Sequence, residues 1–415
     1  MSILHLDINL LGPFHVTIGG DTAEFRTDAL RVLLTFLAAH QGEPQRRDTL
    51  AGLLSPDRPD KEALTYLRNR LTRLRSAVGD EEARPPWFEI DRKQITLRKG
   101  DDVVVDSVRF ERLLTAVETH PHRQLAGCPS CLAKLQEAAD LVRGEFLAGL
   151  NFPSETWEAW LLAQREHYQQ KSLEALTRLR EARQLHGEWT AVLEIAQRQL
   201  TIEPWLESAH RALMEAHYHL GDRNAALAQY ELCVQQLEDE LGVEPEEETQ
   251  QLREQIIDDV LTAADKSAIP TNLPLPPDLF IGREAEQTQL LTRLVDPNYR
   301  LITLVGTGGI GKTRLAVEVG QQVQRNFPDG VWFVSLGAIQ EDSEQIKMAV
   351  GEAAALAPTE KQLTGEQVLA ILRDKQMLLI FDNCETVLEQ ISFIAEWLRR
   401  APRIAILATS REPLN

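Results

Sequence analysis

Apolar and polar residues alternate near the start of the chain, which predicts two short strands separated by Gly12-Pro13. The alternating apolar positions are Leu6, Ile8, Leu10, Phe14, Val16 and Ile18. Helical periodicity follows over residues 28–40, 48–54 and 60–78, and two alternating strands then flank a polar turn at residues 91–94. Three helices followed by a β-hairpin are the order of elements in an α+β winged helix-turn-helix domain. We therefore expect this fold over residues 1–103.

From about residue 105 to residue 264 the apolar positions repeat almost throughout with helical spacing. Gly187 and Gly221 lie 34 residues apart, each between two predicted helices, and Ala196 and Tyr230 have the same separation. This is the period of tetratricopeptide repeats (TPR), in which each helical pair buries its apolar face on the next. The pattern predicts an all-α, TPR-like helical array over residues 104–265.

Proline marks the clearest boundary in the chain. The segment PTNLPLPP, residues 270–277, contains four prolines, and proline cannot continue a helix. We expect a semi-rigid, extended linker over residues 266–279. Beyond it, the apolar segments RLITLVG, GVWFVSL, MLLIFD and RIAILATS alternate with helical patterns. This alternation predicts an α/β domain over residues 280–415.

The segment GTGGIGKT joins the first of these strands to a helix and has the pattern G-x-x-x-x-G-K-[ST] of a P-loop. Glycines allow backbone N–H groups to surround phosphate oxygens, and the helix N-terminus adds its positive dipole end. The lysine would contact the β- and γ-phosphates of ATP or ADP, and the threonine hydroxyl would bind Mg²⁺. The predicted residues are Gly306, Gly308, Gly309, Gly311, Lys312 and Thr313.

Two later strand ends supply further candidates for this P-loop domain. The strand MLLIFD ends in Asp382, where an acid would hold Mg²⁺. Position 383 is not a second acid, so Glu385 is the candidate for activating water. Arg411 follows the strand IAILATS and could sense a terminal phosphate or be an ordinary surface charge. We expect at most a slow regulatory ATPase.

Four motifs in this order resemble the NB-ARC group of STAND signalling ATPases: FIGREAE, GTGGIGKT, LLIFDNCE and ATSREP. The resemblance covers about residues 278–415. It implies a switch that ADP holds closed and that ATP opens. It ends before the helical and winged-helix parts that normally complete the lock around ADP, so we expect an NB-ARC domain that is incomplete at its C-terminus.

The NB-ARC resemblance also implies roles for individual residues. Ile281, Gly282 and Arg283 would lie against the adenine and ribose, and Arg411 would be the sensor arginine. These residues would join the P-loop and Asp382 in the nucleotide site.

Charge is unevenly distributed along the chain. The net charge is −19, yet the first 100 residues carry 15 Lys and Arg against 14 Asp and Glu, whereas the rest carry 29 against 49. An acidic surface repels nucleic acid. The N-terminal region is therefore the part of the chain that can attract it.

The third predicted helix contains LTYLRNRLTRLR, residues 64–75, with four arginines and no acid. A helical wheel places Leu64, Leu67, Leu71, Leu74 and Val78 in one buried stripe. Short polar residues and arginines lie opposite, and such side chains read base edges and contact phosphates. The alternative is a solvated basic face. The predicted DNA contacts of this helix are Asn69, Thr72 and Arg73 to bases, Arg68, Arg70 and Arg75 to phosphates, and Thr65.

Four further basic residues favour DNA binding over simple solvation. Arg46 and Arg47 immediately precede the second predicted helix, where phosphate contacts are commonly made. Arg92 and Lys93 lie at the tip of the predicted hairpin, where a wing contacts a groove or the DNA backbone.

The segment LAGLLSPDRPDKEALTYLRNRLTRLRSAVGD resembles the OmpR-like DNA-binding domain of SARP-type regulators. VDSVRFERLL, GEFLAGLNFPSETWEAW and LEDELGVEPEEET resemble the bacterial transcriptional activation domain (BTAD) that follows it in that family. The resemblance implies a cytoplasmic activator that binds double-stranded promoter DNA and is regulated by ATP or ADP. It also implies contacts with RNA polymerase or a homo-oligomer on DNA. Two alternatives remain: a P-loop ATPase, and a signalling scaffold whose winged helix binds protein.

The segment HPHRQLAGCPSC contains His120, His122, Cys128 and Cys131, which could supply four zinc ligands. The spacing is uncommon for a zinc finger, and the alternative is a loop that closes onto a helix beginning near Cys128. Four cysteines give no disulfide framework, which favours a reducing compartment. No stretch approaches the ~20 apolar residues that span a bilayer, so we expect no membrane contact.

Overall fold

The computed structural model describes residues 4–259, 269–274, 280, 282–337, 343–354, 356, 363–387 and 393–414. Across these ranges every helix is too short or too polar to cross a membrane. The chain divides into two compact units. The first unit comprises Met1–Thr119 with Ser130–Asp258, and the second comprises His120–Pro129 with Asp259–Asn415.

The first unit begins with short strands and three helices. Its elements are β1 (Leu6–Asn9), β2 (His15–Ile18), β3 (Asp21–Thr22), α1 (Asp28–Ala39), β4 (Gln45–Arg46), α2 (Arg47–Leu54), α3 (Asp60–Ala77), β5 (Phe88–Ile90), β6 (Gln94–Leu97) and β7 (Val103–Val105). One sheet has the order β3-β2-β1-β7, with β7 parallel to β1, and the other has the antiparallel order β4-β6-β5. The sequence pattern missed β3 and β4, because two residues are too few to show a period, and it also missed β7.

The apolar stripe of α3 is buried largely as the wheel predicts. Leu67, Leu71 and Leu74 are buried, and so is Val78 just beyond the helix. Leu64, which was predicted for the same stripe, is only half-buried, and Ala63 is buried instead. The stripe therefore begins one residue earlier than predicted, with the i, i+4 spacing of a helix.

The remainder of the first unit is helical. Its helices are α4 (Asp106–Thr119), α5 (Pro129–Leu141), α6 (Glu155–Leu185), α7 (Trp189–Ile202), α8 (Glu207–His219), α9 (Arg223–Leu241) and α10 (Glu247–Ile257). Gly187 follows α6 and Gly221 follows α8, and both have positive φ, at 68° and 86°. In both turns the next residue donates its N–H to a carbonyl five residues earlier, at 3.0 and 2.8 Å. The two turns seen 34 residues apart in the sequence thus share one backbone geometry.

A buried carboxylate joins the first sheet to the helices of this unit. Asp106, 3% exposed, accepts the backbone N–H groups of Leu10 and Leu11 at 2.7 and 3.0 Å and a hydrogen bond from Arg143 at 2.6 Å. Burial raises the pKa of Asp106, although these bonds oppose the shift. The end of β1 is therefore bonded to the start of α4 and to the loop after α5.

The second unit is a parallel sheet between two layers of helices. Its elements are α11 (Glu284–Val295), β8 (Leu301–Val305), α12 (Lys312–Gln322), β9 (Val331–Ser335), α13 (Ser343–Ala353), α14 (Gly365–Leu372), β10 (Leu378–Asp382), α15 (Phe393–Arg400) and β11 (Ala405–Ser410), with short 3-10 helices at Gln324–Asn326 and Cys384–Thr386. The strand order is β8-β11-β10-β9, and every pairing is parallel. Leu378 and Ile380 pack in the core with α11 and α12, whereas Leu379 and Phe381 pack in the core with α13, α14 and α15. Burial on both faces explains the unbroken apolar runs of these strands.

Part of the predicted linker is bonded to β9. Thr271 donates its hydroxyl hydrogen to the carbonyl of Val331 at 2.7 Å. The side chain of Asn272 donates to the carbonyl of Phe333 at 2.9 Å and accepts its N–H at 2.6 Å, as a neighbouring strand would. Residues 266–268 and 275–279 lie outside the described residues. The described part of this segment is thus held on the edge of the second unit's sheet and is not free.

Candidate nucleotide and nucleic-acid sites

The predicted P-loop connects β8 to α12 and wraps around the first turn of that helix. Gly309 and Gly311 have φ of 76° and 90°, a region that only glycine adopts readily. The amine of Lys312 donates to the carbonyls of Gly306 and Thr307 at 2.8 and 3.0 Å. The loop therefore presents its backbone and a cation around the N-terminus of an eleven-residue helix, which is the arrangement that binds phosphate.

A buried hydrogen-bonded group forms where β10 and β11 end. Asp382 is 7% exposed, and its Oδ1 accepts the hydroxyl hydrogens of Thr313 and Thr409, both at 2.6 Å. Thr409 also accepts the N–H of Asn383 at 3.2 Å. Thr409 was not predicted from the sequence. Its position near the end of a predicted strand, like that of Asp382, was the signal that could have identified it.

The oxygen groups of Thr313 and Asp382 are those that Mg²⁺ prefers when it also binds substrate phosphates. They lie beside a loop whose glycines leave room for a ligand close to the backbone, since a Cβ added to Gly309 or Gly311 would meet no atom within 4 Å. The residues present therefore fit a nucleotide with Mg²⁺.

Arg411 and Glu385 form an ion pair at the end of β11. Arg411 Nε lies 3.0 Å from Glu385 Oε1, and the Arg411 N–H donates to Oε2 at 3.2 Å. The Arg411 guanidinium also faces the P-loop, because a Cβ added to Gly308 would lie 3.5 Å from its Nη2. This geometry favours a role for Glu385 in positioning Arg411. The role predicted from the sequence, in which Glu385 activates water as a base, remains a prediction.

Gly282 and Arg283 lie next to the P-loop. Arg283 precedes α11 in the left-handed conformation, with φ of 61°, and its Nη2 donates to the carbonyl of Ile310. Gln287 donates to the carbonyl of Gly282 at 3.1 Å. Ile281 lies outside the described residues. Contacts of Gly282 and Arg283 with adenine and ribose stay a prediction.

In the first unit, α3 exposes one continuous polar face. The exposed residues on it are Thr65, Arg68, Asn69, Thr72 and Arg73. The two threonine hydroxyls donate to carbonyls one turn earlier, at 2.9 and 3.1 Å, and keep their oxygen lone pairs as acceptors. The face thus offers two guanidinium groups, an amide and two hydroxyl oxygens to solvent.

The other two arginines of α3 contact the protein itself. The guanidinium of Arg70 lies 4.5 Å from the centre of the Tyr66 ring. Arg75 Nε lies 2.6 Å from Asp80 Oδ2; Asp80 is fully buried and also accepts the N–H of Phe88 at 3.0 Å. Arg75 therefore ties the end of α3 to β5. The phosphate contacts predicted for both arginines remain predictions.

The tip of the β5–β6 hairpin is fixed next to the start of α2. The Arg47 N–H donates to the Lys93 carbonyl at 2.9 Å, and its Nε donates to the Asp91 carbonyl at 3.1 Å. Asp91 Oδ1 accepts the N–H groups of Lys93 and Gln94, both at 2.6 Å, and these bonds hold the pKa of Asp91 below its usual value. The side chains of Arg92 and Lys93 are exposed.

Arg46 lies beside this tip, because β4 pairs it with Gln94 of β6. Its guanidinium is 3.2 Å from Asp48, and both side chains are more than two-thirds exposed. Such a surface ion pair is weak and can exchange for a phosphate.

The predicted zinc ligands fall in both units. Within the second unit, His120 Nδ1 and Cys128 Sγ lie 3.7 Å apart, and the rings of His120 and His122 stack with centroids 6.0 Å apart. Cys131 lies in α5 and is assigned to the first unit. Zinc binding by these residues stays a prediction.

Two protein families match the chain. Residues 105–257 match the bacterial transcriptional activator domain, and residues 283–413 match the NB-ARC domain. An NB-ARC domain implies nucleotide binding, typically with Mg²⁺.

Curated relatives match over most of the chain. The regulatory protein AfsR of Streptomyces griseus is 27% identical over 435 residues, which cover 98% of this chain and 42% of AfsR. The AfsR of Streptomyces coelicolor is also 27% identical, over 91% of this chain and 39% of that protein. The chain thus spans about two fifths of the length of these relatives.

A solved structure of Mycobacterium tuberculosis EmbR in complex with a low-affinity phosphopeptide has 24% identity and a TM-score of 0.48, over 62% of this chain and 66% of that chain. The two family matches and the AfsR matches confirm the resemblance predicted from the sequence. Residues 105–257 are thus similar to a bacterial transcriptional activator domain and residues 283–413 to an NB-ARC domain, which is consistent with a SARP-type regulator with an NB-ARC module.

Proposed function

We propose that this chain activates transcription by binding promoter DNA through a winged helix-turn-helix over residues 1–103. The observation that carries this proposal is the exposed face of α3 together with the basic hairpin tip bonded to the start of α2. In winged helix-turn-helix domains the second helix of the motif enters the major groove, and neighbouring elements contact the backbone. The first 100 residues are nearly neutral in an otherwise acidic chain, and this charge distribution also supports DNA binding by that surface.

The contacts divide by what each side chain can reach. Asn69, Thr72 and Arg73 are assigned to base edges, because amide, hydroxyl and guanidinium groups read the major groove. Arg68 and the hairpin tip are assigned to phosphates, which fix register without reading sequence. Arg75 is the weakest assignment, since its guanidinium already pairs with Asp80.

The test begins with the full chain and a pool of genomic DNA fragments. Bound fragments are recovered and sequenced, and affinity for an enriched fragment is then measured by fluorescence anisotropy at several salt concentrations. We expect a repeated motif and an affinity that falls with salt by a slope of about −0.9 per phosphate contacted. Binding without enrichment or salt dependence would leave the protein-binding scaffold as the better proposal.

We further propose that the NB-ARC domain binds ATP or ADP with Mg²⁺ and thereby regulates the activator. The support is the phosphate-binding loop around α12, the Thr313–Asp382–Thr409 group and Arg411 beside Gly308. Calorimetric titration with ATP and ADP, each with and without Mg²⁺, tests the site. Repeating the DNA titration with either nucleotide tests the switch. Equal DNA affinity with ATP and with ADP would reject regulation of DNA binding by nucleotide, but it would not count against the nucleotide site.

The helical part of the first unit supports a TPR-like array over residues 104–265, because its turns at Gly187 and Gly221 repeat at 34 residues. Arrays of this kind form extended surfaces for other proteins. We assign RNA polymerase or a second copy of the chain on DNA as the partner. Sedimentation of the DNA-bound protein, with and without polymerase, distinguishes these two partners.

A further inference from the structure

A cavity of about 360 Å³ lies inside the first unit, apart from the DNA-binding face. Its walls are the loop after α5, one side of α6 and the C-terminal end of α7, and Leu11 beyond β1 also lines it. This volume is within the range of cavities that hold small organic ligands. Its charge and its walls indicate which class of ligand fits.

Three arginines line the cavity, and each pairs with a carboxylate: Arg143 with Asp106, Arg165 with Glu145 and Arg198 with Asp140, at 2.6, 3.2 and 3.6 Å. Glu145 is the one acid among the lining residues described. Arg165 is held in place by the carbonyls of Phe146 and Leu147, to which it donates at 3.1 and 3.3 Å. A guanidinium fixed in this way is pre-organised to bind a carboxylate.

One wall of the cavity is flat and apolar. The rings of Phe146 and Tyr168 stack with their centroids 4.8 Å apart, and both are largely buried. Burial raises the pKa of Tyr168 to about 12, so its hydroxyl group stays protonated at neutral pH. A ligand with an aromatic or aliphatic body would bury that body against this wall.

The loop after α5, which lines the cavity with residues 142–146, is tied to the first sheet, and Leu147 directly after these residues is strained. Leu147 is fully buried with φ of 52°, an uncommon conformation for leucine that often accompanies ligand-binding sites. The Leu147 N–H donates to the Leu10 carbonyl at 2.9 Å, and the Arg143 N–H donates to the Leu11 carbonyl at 2.8 Å.

We propose that this cavity binds a small organic carboxylate, with its carboxylate group on the arginines and its apolar body against Phe146 and Tyr168. Because the same loop is bonded to the end of β1, a bound carboxylate would stiffen the join between the first sheet and the helices. The regulator would then have a small-molecule input in its first unit, separate from the nucleotide site, and the proposal does not depend on nucleotide binding.

The test uses the full chain and saturation-transfer NMR with 2-naphthoate as the probe. The uncharged 2-naphthalenemethanol tests the need for the anion, and acetate tests the need for the apolar body. We expect naphthoate to bind at least about tenfold more tightly than either, since one lost charge contact is worth a factor of this size. No naphthoate binding, or equal binding of the alcohol, would overturn the proposal.

Exposed positions around the cavity give matched variants that spare the core. Gln169 lines the cavity and its neighbour Gln170 does not, and both are exposed. We expect Gln169→Glu to weaken naphthoate about fivefold through repulsion, whereas Gln170→Glu, with the same charge change, leaves affinity unchanged. Equal effects of the two variants would overturn the assignment to this cavity.

A second matched pair blocks the cavity by volume. Thr201 lines it from α7 and is exposed, and Gln197 is an exposed residue one turn earlier outside the lining. We expect Thr201→Trp to abolish naphthoate binding and Gln197→Trp to retain it. Full binding by Thr201→Trp, in a variant that melts like the wild type, would contradict the proposal.

Discussion

The P-loop region and the exposed face of α3 are both suited to anions, yet their polar groups are arranged in opposite ways. At the P-loop, Lys312 is bonded to loop carbonyls, Asp382 accepts two hydroxyls and Arg411 is paired with Glu385. On α3, the exposed Arg68 and Arg73 extend into solvent.

The difference follows from the size of the ligand. A few phosphate oxygens must be bound at fixed positions, so the groups around them are held in place by one another before the ligand arrives. DNA presents a long row of phosphates and base edges, and a solvated surface gains affinity from many contacts that each contribute little. For the proposed DNA contacts, an arginine that is already bonded within the protein is therefore a weaker candidate than an exposed one.

The largest effect is expected at the P-loop. Lys312→Ala should weaken nucleotide binding about 100-fold, because it removes charge-assisted hydrogen bonds to phosphate that are worth about 1.5–3 kcal/mol each. Calorimetric titration with ADP and Mg²⁺ measures the loss. Lys375→Ala is the matched control, since it removes the same charge from a lysine of the second unit that pairs with Asp329. Equal affinities in the two variants would contradict the site.

The next effect is on stability, and it distinguishes an arginine of α3 that pairs with a buried acid from one that is exposed. Arg75→Ala should lower the free energy of unfolding by about 2 kcal/mol, because it leaves the buried carboxylate of Asp80 without its cation. Arg68→Ala removes an exposed arginine from the same helix and should change it by less than about 0.5 kcal/mol. Urea unfolding compares the two. An unchanged stability of Arg75→Ala combined with lost DNA affinity would return Arg75 to the phosphate contacts.

A smaller effect is expected on sequence reading by α3. Arg73→Ala should weaken binding to an enriched DNA fragment about tenfold and weaken binding to unrelated DNA much less, since a base contact supplies about 1–3 kcal/mol of discrimination. Arg26→Ala removes an exposed arginine outside α3 in the same unit and is the control for charge. Equal losses on both kinds of DNA would assign Arg73 to a phosphate instead.

The smallest effect is expected for the ion pair between Arg98 and Asp102. The hydrogen bond from Arg98 holds the pKa of Asp102 below its ordinary value of 3.8. A carboxylate whose pKa is lower in the folded state than in the unfolded state stabilises the fold at every pH above its unfolded-state pKa. This stabilisation is lost as the pH falls through the folded-state pKa. We expect Asp102→Asn to cost about 1 kcal/mol at pH 7 and progressively less below pH 4, as measured by urea unfolding. A constant difference between wild type and variant across this range would contradict the ion pair.

Much of the fold could be predicted because its signals are local. The predicted bounds of α1, α2 and α3 differ by one residue from those observed, and the four strands of the second unit were all found. The P-loop residues were identified because glycine, lysine and threonine must stand at fixed spacings to surround a phosphate. Strands of two residues, such as β4, carry no such signal.

The partners of charged and polar side chains could not be predicted in the same way. Glu385 pairs with Arg411 twenty-six positions away, Asp382 accepts from Thr409, and Asn272 bonds to an edge strand sixty-one positions further on. No spacing rule links such residues, because the packing of strands and helices brings them together.

By itself, the sequence predicted the activator and NB-ARC domains in their order, most of the leucine stripe of α3 and the residue types of the phosphate loop. These depend on neighbours within a few turns of the chain or on a fixed motif. Only the tertiary structure decided which arginines of α3 remain exposed, that Glu385 pairs with Arg411, and that a cavity lined by three arginines lies between α6, α7 and the loop after α5. Charge and burial at those places depend on residues that are distant in the chain and adjacent in space.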